Sequence, residues 1–312
     1  MMWRLAALAL LISSPAQNWQ TLATEHFQLR YPAELTRAAQ DLEQHFEPTL
    51  AAIGADLQVK EAGKVLVILA PDRATFFALQ PPGVPDWASG TSYPDRRAIF
   101  LKPLDPLEVR AATLPGIFAH ELAHLILHQR LAGVRPPRWL DEGIASRYGR
   151  SLDWDLLGPL LSVGLTGRCL PFSVLDDTFP ESGSQARLAY AQSTDFVGFL
   201  LKSFGPAAFN TLLDRIAAGE PADAALKAAF GQDLAELSAR WLRQVRWTYG
   251  LVGLLLGGIP LWFGIALLGI WAYARKRQTS RLRRELWDLE DRAAALSARE
   301  EDDSEDTPPT YH

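Results

Sequence analysis

The run Ile117-Phe118-Ala119-His120-Glu121-Leu122-Ala123-His124-Leu125-Ile126-Leu127 is apolar nearly all round when wound as a helix, with two imidazoles and one carboxylate set into it. A helix of that kind is buried, and the polar groups it carries inside need partners. Each one left unsatisfied costs about 1–3 kcal/mol, and a charge costs more. Residues four apart lie on one helix face, one turn above the other, so His120 and His124 can hold a single zinc ion between them. Glu121 lies beside them, where its carboxylate reaches a water on the metal without being a ligand. The competing arrangement is two core histidines satisfied by hydrogen bonds, with the glutamate paired to an arginine.

Outward from this run, the pattern predicts a helix from Leu114 to Leu131, and Gly133, Pro136 and Pro137 break the chain after it. A second helix begins at Trp139. From His124 to Leu131 the first helix advances about 10 Å, whereas the link from Ala132 to Trp139 spans up to about 26 Å. The second helix can therefore return beside the histidines. A catalytic zinc takes three protein ligands and keeps one position for water, and His128, Asp141 and Glu142 are the candidates for the third. His128 is one further turn along the same rod, which does not easily wrap three rings round one ion. Glu142 faces the metal from the first turn of the returning helix. Asp141 reads better as a first-turn carboxylate meeting the helix dipole.

His120-Glu121-x-x-His124 is the H-E-x-x-H signature of zinc metallopeptidases. Followed by Pro137-Arg138-Trp139-Leu140-Asp141-Glu142-Gly143-Ile144-Ala145, it resembles the gluzincin metallopeptidases. Within them it most resembles the bacterial peptidase-MA-like domains, which pair H-E-x-x-H with W-L-x-E-G-x-A. The resemblance covers about residues 19 to 245. It implies a thermolysin-like zincin core, Zn2+ on His120, His124 and Glu142, Glu121 as general base, and a peptide or protein substrate. The metzincin extension would need Gly at 127 and His at 130, where the chain has Leu127 and Arg130. Thermolysin-type enzymes place an Asp four residues after the ligand Glu, and here Ser146 stands there. Among gluzincins a tyrosine on a later helix commonly stabilises the oxyanion; Tyr190 is the candidate and Tyr148 the weaker alternative. The predicted strand Ala98 to Leu101 resembles the zincin edge strand on which an extended peptide lies.

The order of elements is that of an α+β chain: a small α/β part with a mixed sheet, then a helical part. Glu25 to Tyr31 alternates as a half-buried strand, Ala33 to Ile53 reads as one helix closed by Gly54, and Val65 to Leu69 is a central strand. Pro71-Asp72 opens a short helix, and Pro81 to Pro94 reads as loop. The last helices before the anchor are predicted at Gly183 to Phe204, Pro206 to Ala217, Ala222 to Phe230 and Leu234 to about Tyr249, with Gly205, Gly219 and Gly231 as stops.

Two apolar segments are addresses. Met1 to Arg4 is positively charged and Leu5 to Ile12 is uninterrupted and apolar, followed by Ser13-Ser14-Pro15-Ala16. That is the layout of a signal peptide over residues 1–16. Leu251 to Ala274 contains no charged residue and reaches about 36 Å as a helix, enough to cross a hydrocarbon core of about 30 Å. Trp247, Tyr249, Trp271 and Tyr273 lie at its ends, and Arg275, Lys276, Arg277, Arg281, Arg283 and Arg284 follow it. The positive-inside bias puts the C-terminus in the cytoplasm of a bacterial cell and residues 17–246 outside it, as a single-pass protein. The expected divisions are thus the signal peptide at 1–16, a zincin-like domain at 17–246 (17–108 α/β, 109–246 helical), a transmembrane helix at 251–274 and a tail at 275–312. In the tail, 281–299 fits a charged amphipathic helix with a face for a cytoplasmic partner, and Glu300 to Asp306 is an acidic run.

Composition narrows the classes further. The chain has 312 residues, 48% hydrophobic and 21% charged, which excludes wholesale disorder. Its net charge of −5 gives no field for gripping phosphate backbones, so nucleic acid is not an expected partner. Cys169, the one cysteine, forms no internal disulfide and reads as a small buried apolar residue rather than a nucleophile. A membrane-tethered domain that binds zinc or peptide without catalysis is the alternative function, and the intact Glu121 argues against it.

Overall fold

Alternating and continuous apolar runs build a five-stranded sheet from the N-terminal third of the chain: β1 (Trp19–Ala23), β2 (Phe27–Pro32), β3 (Val65–Leu69), β4 (Gly90–Tyr93) and β5 (Ala98–Leu101). The order is β1-β2-β3-β5-β4. β2, β3 and β5 are parallel, and β1 and β4 run antiparallel at the two edges, so the sheet is mixed. The coordinates, a computed structural model, describe residues 18–60, 63–86, 88–104, 113–149, 154–180, 183–257 and 261–277. The signal segment 1–16 and the tail helix 281–299 lie outside the described residues.

The parallel strands are apolar on both faces because both are covered. Phe27, Leu29, Val65, Val67, Ile99 and Leu101 face the main core. Ile68, Ala70, Ala98 and Phe100 face the other side, where α3 (Arg73–Ala78) lays Phe76 over them. Asp72 caps α3 by accepting the Thr75 N–H at 2.7 Å.

Three expectations are corrected here. Ala98–Leu101 is not an edge strand, since β3 pairs on one side of it and β4 on the other. The edge on that side is β4, which falls inside the segment expected to be loop. Gly90-Thr91-Ser92-Tyr93 is half-buried throughout and pairs along one side only, so it shows no apolar alternation; its pairing of Tyr93 with Ala98 and Gly90 with Leu101 makes it a strand. The helix expected over 33–53 is a 3-10 turn at Ala33–Leu35, then α1 (Thr36–Glu43) and α2 (Phe46–Asp56). Pro48 accounts for the break, because a proline ring clashes with the carbonyl four residues back, here Gln44, and is tolerated only in a first turn.

The remaining helices are α4 (Leu114–Arg130), α5 (Arg138–Gly149), α6 (Trp154–Thr166), α7 (Gly183–Ala217), α8 (Ala222–Phe230) and α9 (Leu234–Gly257). α7 is kinked at Gly205 (φ 83°, ψ 165°), the stop expected before Pro206. Phe27, Phe46 and Phe118 pack with ring centroids 4.7–5.6 Å apart and tie β2, α2 and α4 together. Phe118 is fully buried, so Phe118→Ala would cost about 3–5 kcal/mol. Trp139, Phe172, Phe196 and Trp241 form a second aromatic group under α5, α7 and α9.

The chain divides into two units, Met1–Leu251 and Val252–His312. In the second, residues 252–257 and 261–277 are helical, and the large apolar side chains from Leu261 to Tyr273 are exposed. Residues 258–260, within the expected span, lie outside the described ones. Among the described helices one, α7, is long and apolar enough to cross a membrane. Its Phe196, Leu200, Leu212 and Leu213 are fully buried in the first unit, which accounts for its hydropathy as a core helix.

Candidate metal centre

α4 and α5 form an antiparallel pair pressed together by glycine. A Cβ on Gly116, at the start of α4, would stand 2.6 Å from the Gly149 carbonyl oxygen at the end of α5, and one on Gly149 would stand 2.5 Å from His120 Cβ. Gly143 likewise lets α5 touch α7, where a Cβ would meet the Ser193 carbonyl oxygen at 2.6 Å. Thr113 caps α4 by accepting the Gly116 N–H. The N-terminus of α5 is held by the turn at 175–176: Arg138 N–H donates to the Asp176 carbonyl, Trp139 N–H to the Leu175 carbonyl, and the indole Nε1 to Asp176 Oδ1 at 2.9 Å. The returning helix starts one residue earlier than expected, and Glu142 comes to rest against both histidines.

The geometry is a triangle of three ligand atoms. His120 Nε2 and His124 Nε2 are 3.1 Å apart, and Glu142 Oε2 lies 3.5 Å from the first and 3.7 Å from the second. A tetrahedral zinc with bonds of about 2.0–2.1 Å has ligand–ligand edges of about 3.3–3.4 Å, so the donor set fits that ion. Glu142 Oε2 is buried and accepts no hydrogen bond, an arrangement that is costly unless a cation meets it. His120, His124 and Glu142 form a His/Cys/Asp/Glu group compact enough to hold a metal.

The surroundings supply negative charge. His124 Nδ1 donates to Asp141 Oδ1 at 2.6 Å, which leaves Nε2 as the ring nitrogen that faces the triangle and would give up its proton to a metal. Burial works against a charged His124, but Asp141, then Glu142 and Glu121, outweigh it and push the imidazole up to about 10. Burial also raises the Glu142 carboxyl, yet His120, His124 and Arg138 hold it down at about 2. The raised His124 reflects the carboxylates gathered round it, and Glu142 stays ionised between the imidazoles.

Glu121 is 8% exposed and borders the same cleft, of about 910 Å3, as the triangle. β4 forms one wall. A Cβ on Gly90 would stand 2.9 Å from Glu121 Cγ and 2.5 Å from Ile117, so only glycine allows the edge strand this close to the carboxylate. Gln80 pins that strand: its side-chain oxygen accepts from the Thr91 and Tyr93 hydroxyls, and its Nε2 donates to the Phe76 carbonyl at 2.8 Å. Tyr190 also lines the cleft, with its ring packed edge-on against Phe179 at 5.2 Å. Tyr148 is engaged elsewhere, donating to Asp56 Oδ2 at 3.0 Å, with its hydroxyl pushed up by burial and by Asp56. His128 lies on the cleft wall, 3.5 Å from Asp95 Oδ1 and outside the triangle. Ser146 is buried with its hydroxyl unpartnered, so it supplies no carboxylate to the histidines.

The role of Asp141 was not read from the sequence, nor were Gly90 and Gln80. A signal for Asp141 existed, since residues adjacent in a first helical turn are about 100° apart and both can face a neighbouring helix. For Gly90 and Gln80 there was none, because β4 itself was unseen. Cys169, expected to be buried, is half-buried against the core, and burial pushes its thiol up.

No curated protein matches this chain. The profile of the peptidase MA superfamily matches residues 80–247, more than half of the 312 residues and the part that carries α4, α5 and the cleft, and the chain belongs to that superfamily.

Proposed function

We propose that this protein is a membrane-anchored, extracytoplasmic zinc metallopeptidase with a thermolysin-like core. The observation that carries the reading is the triangle of His120 Nε2, His124 Nε2 and Glu142 Oε2, whose 3.1–3.7 Å edges suit a tetrahedral metal. Zinc held there would polarise a scissile carbonyl and bring the pKa of its water towards about 7. Asp141 orients His124. Glu121 takes a proton from the attacking water at its carboxylate and delivers it to the leaving amine. Tyr190 donates its hydroxyl to the developing oxyanion. β4, the free edge of the sheet, pairs with an extended peptide through backbone hydrogen bonds and so accepts many side chains.

The divisions follow the sequence: a signal peptide at 1–16, the peptidase domain at 17–246, the span at 251–274 and a cytoplasmic tail at 275–312. The exposed apolar side chains from Leu261 to Tyr273 support the span, and the Arg/Lys cluster after Ala274 supports the orientation.

The test is metal analysis of the purified chain together with its activity on a mixed peptide library. One zinc per chain and chelator-sensitive cleavage are expected. Zinc without cleavage would replace the enzyme with the non-catalytic binding reading, and no metal at all would remove the zinc enzyme and leave at most a peptide-binding domain. For topology, protease added outside the cell should trim the 17–246 domain and spare a C-terminal tag; loss of the tag would reverse the orientation.

A further inference from the structure

Among the described residues of the first unit, three large apolar side chains stand exposed: Leu165 (58%), Val174 (54%) and Trp247 (76%). Leu165 and Trp247 lie near one helix crossing in sequence. α6 crosses α9 at Gly164 and Gly250, backbone against backbone: a Cβ on Gly164 would stand 2.6 Å from Gly250 N, and one on Gly250 would stand 3.0 Å from the Gly164 carbonyl oxygen. Leu165 follows Gly164 directly, and Trp247 is one helical turn before Gly250. Gly250 also directly precedes Leu251, where the expected span begins, and α9 continues unbroken through Gly257. The crossing therefore places the C-terminal end of α6 beside the residues that immediately precede the expected span.

The chemistry there is of one kind. α6 is an apolar helix over Leu156–Thr166. Exposed Arg168 and Arg246 flank its end, and Gly167 turns back against the Arg246 side chain, where a Cβ would stand 3.8 Å from the guanidinium. Exposed leucine and tryptophan beside exposed arginines match the boundary between acyl chains and anionic headgroups, where the apolar groups enter the chains and the cations meet the phosphates.

We propose that the C-terminal end of α6, through Leu165, together with Trp247 forms a foot that seats the cleft-bearing domain on the surface of an anionic phospholipid bilayer. The proposal rests on the reading that residues 251–274 span that bilayer. A single helical tether leaves a domain free to swing; a second contact at Leu165 fixes its orientation and hence the height at which the cleft meets substrates.

The single cysteine makes the test direct. In a Cys169→Ser background, the full chain carries an environment-sensitive fluorophore on Leu165→Cys or, separately, on Trp271→Cys. Each is placed in vesicles of phosphatidylcholine and phosphatidylglycerol containing lipids brominated at shallow or deep positions along the chain. The probe at 165 should be quenched about twofold more by shallow than by deep bromines, as expected for insertion of about 5–10 Å, and should be shielded from iodide in the water. The probe at 271 should be quenched as well. Quenching at 271 with position 165 open to iodide would overturn the foot and leave the span standing. Quenching at neither would remove the span and the foot together, and quenching at 165 alone would break the continuity on which the proposal is built.

Discussion

Asp141 Oδ1 accepts the Nδ1–H of His124 at 2.6 Å, and this bond determines which ring nitrogen is left for a metal. The carboxylate comes from the residue immediately before Glu142, so one turn of α5 supplies both a ligand candidate and the group that orients another. Removing such an orienting partner typically costs 10–100-fold in metal affinity. Asp141→Ala should weaken zinc binding by about that factor in a chelator competition, and Asp141→Asn, which keeps an acceptor, by less. Equal affinity in wild type and Asp141→Ala would mean that His124 is fixed by packing alone.

Glu142→Ala removes the one oxygen donor of the triangle while leaving both imidazoles. Zinc stoichiometry should fall below one per chain under dialysis, with helix content unchanged. Glu142 lies on a short helix whose start is held independently by the Asp176 and Leu175 carbonyls, so α5 should survive. Full zinc retention would move the third ligand elsewhere, with His128 the nearest candidate on α4.

Gln80 accepts from two residues of the edge strand and is itself buried. Gln80→Met keeps the volume and removes the acceptor. Each lost hydrogen bond is worth about 0.5–1.5 kcal/mol, so KM for extended peptides should rise about 3- to 10-fold while zinc content stays at one. A KM that does not move would separate β4 from substrate binding.

The α/β part carries a titratable staple of its own. Glu47 accepts from Thr24 Oγ1 at 2.7 Å, from His26 N–H at 3.0 Å and from the His26 ring at 2.8 Å. Burial pushes its carboxyl up, but these donors and the imidazole outweigh burial and hold it below the ordinary 4.5. A carboxyl depressed in the folded state stabilises the fold above its unfolded value, and that contribution is lost as pH falls through the folded value. Thermal unfolding of wild type should therefore steepen below about pH 4.5, and Glu47→Gln should flatten that limb while lowering Tm at neutral pH. The side chain is 37% exposed, so the neutral-pH cost is modest, about 1 kcal/mol. Identical acid limbs in the two proteins would assign the acid sensitivity to other carboxylates.

The helical part was legible because glycine and proline mark its boundaries. α8 runs Ala222–Phe230 as the pattern predicts, and the kink in α7 falls on Gly205. The H-E-x-x-H spacing and the link length allow the second helix to return beside the histidines, which made Glu142 the favoured third candidate beside His128 and Asp141. The edge strands were not legible, for a physical reason. β1 and β4 each pair on one side and are half-buried at most positions, so burial imposes no alternation on Gly90-Thr91-Ser92-Tyr93. Their strand character comes from hydrogen bonds to distant partners, which a local pattern does not contain. The same holds for Gln80, whose buried amide has meaning only once β4 is in place.

Glu121 distinguishes an enzyme from a binding domain of the same shape. It is not one of the three atoms of the triangle, so zinc should bind without its charge. It is 8% exposed and held under Gly90 at the cleft, and under the proposed mechanism its carboxylate would take a proton from a water beside the metal. Glu121→Gln keeps the volume and the hydrogen-bonding reach, and lacks the basicity. General-base assistance is worth typically 10²–10⁴-fold in rate. Peptide hydrolysis should therefore fall by about that much in Glu121→Gln, with zinc content and Tm near wild type. Because the loss is confined to the transition state, kcat should fall while KM stays nearly constant. Equal cleavage by wild type and Glu121→Gln would assign the base elsewhere in the cleft. A wild type that binds zinc and extended peptides yet cleaves none of a broad library would make Glu121 a buried carboxylate of a binding domain.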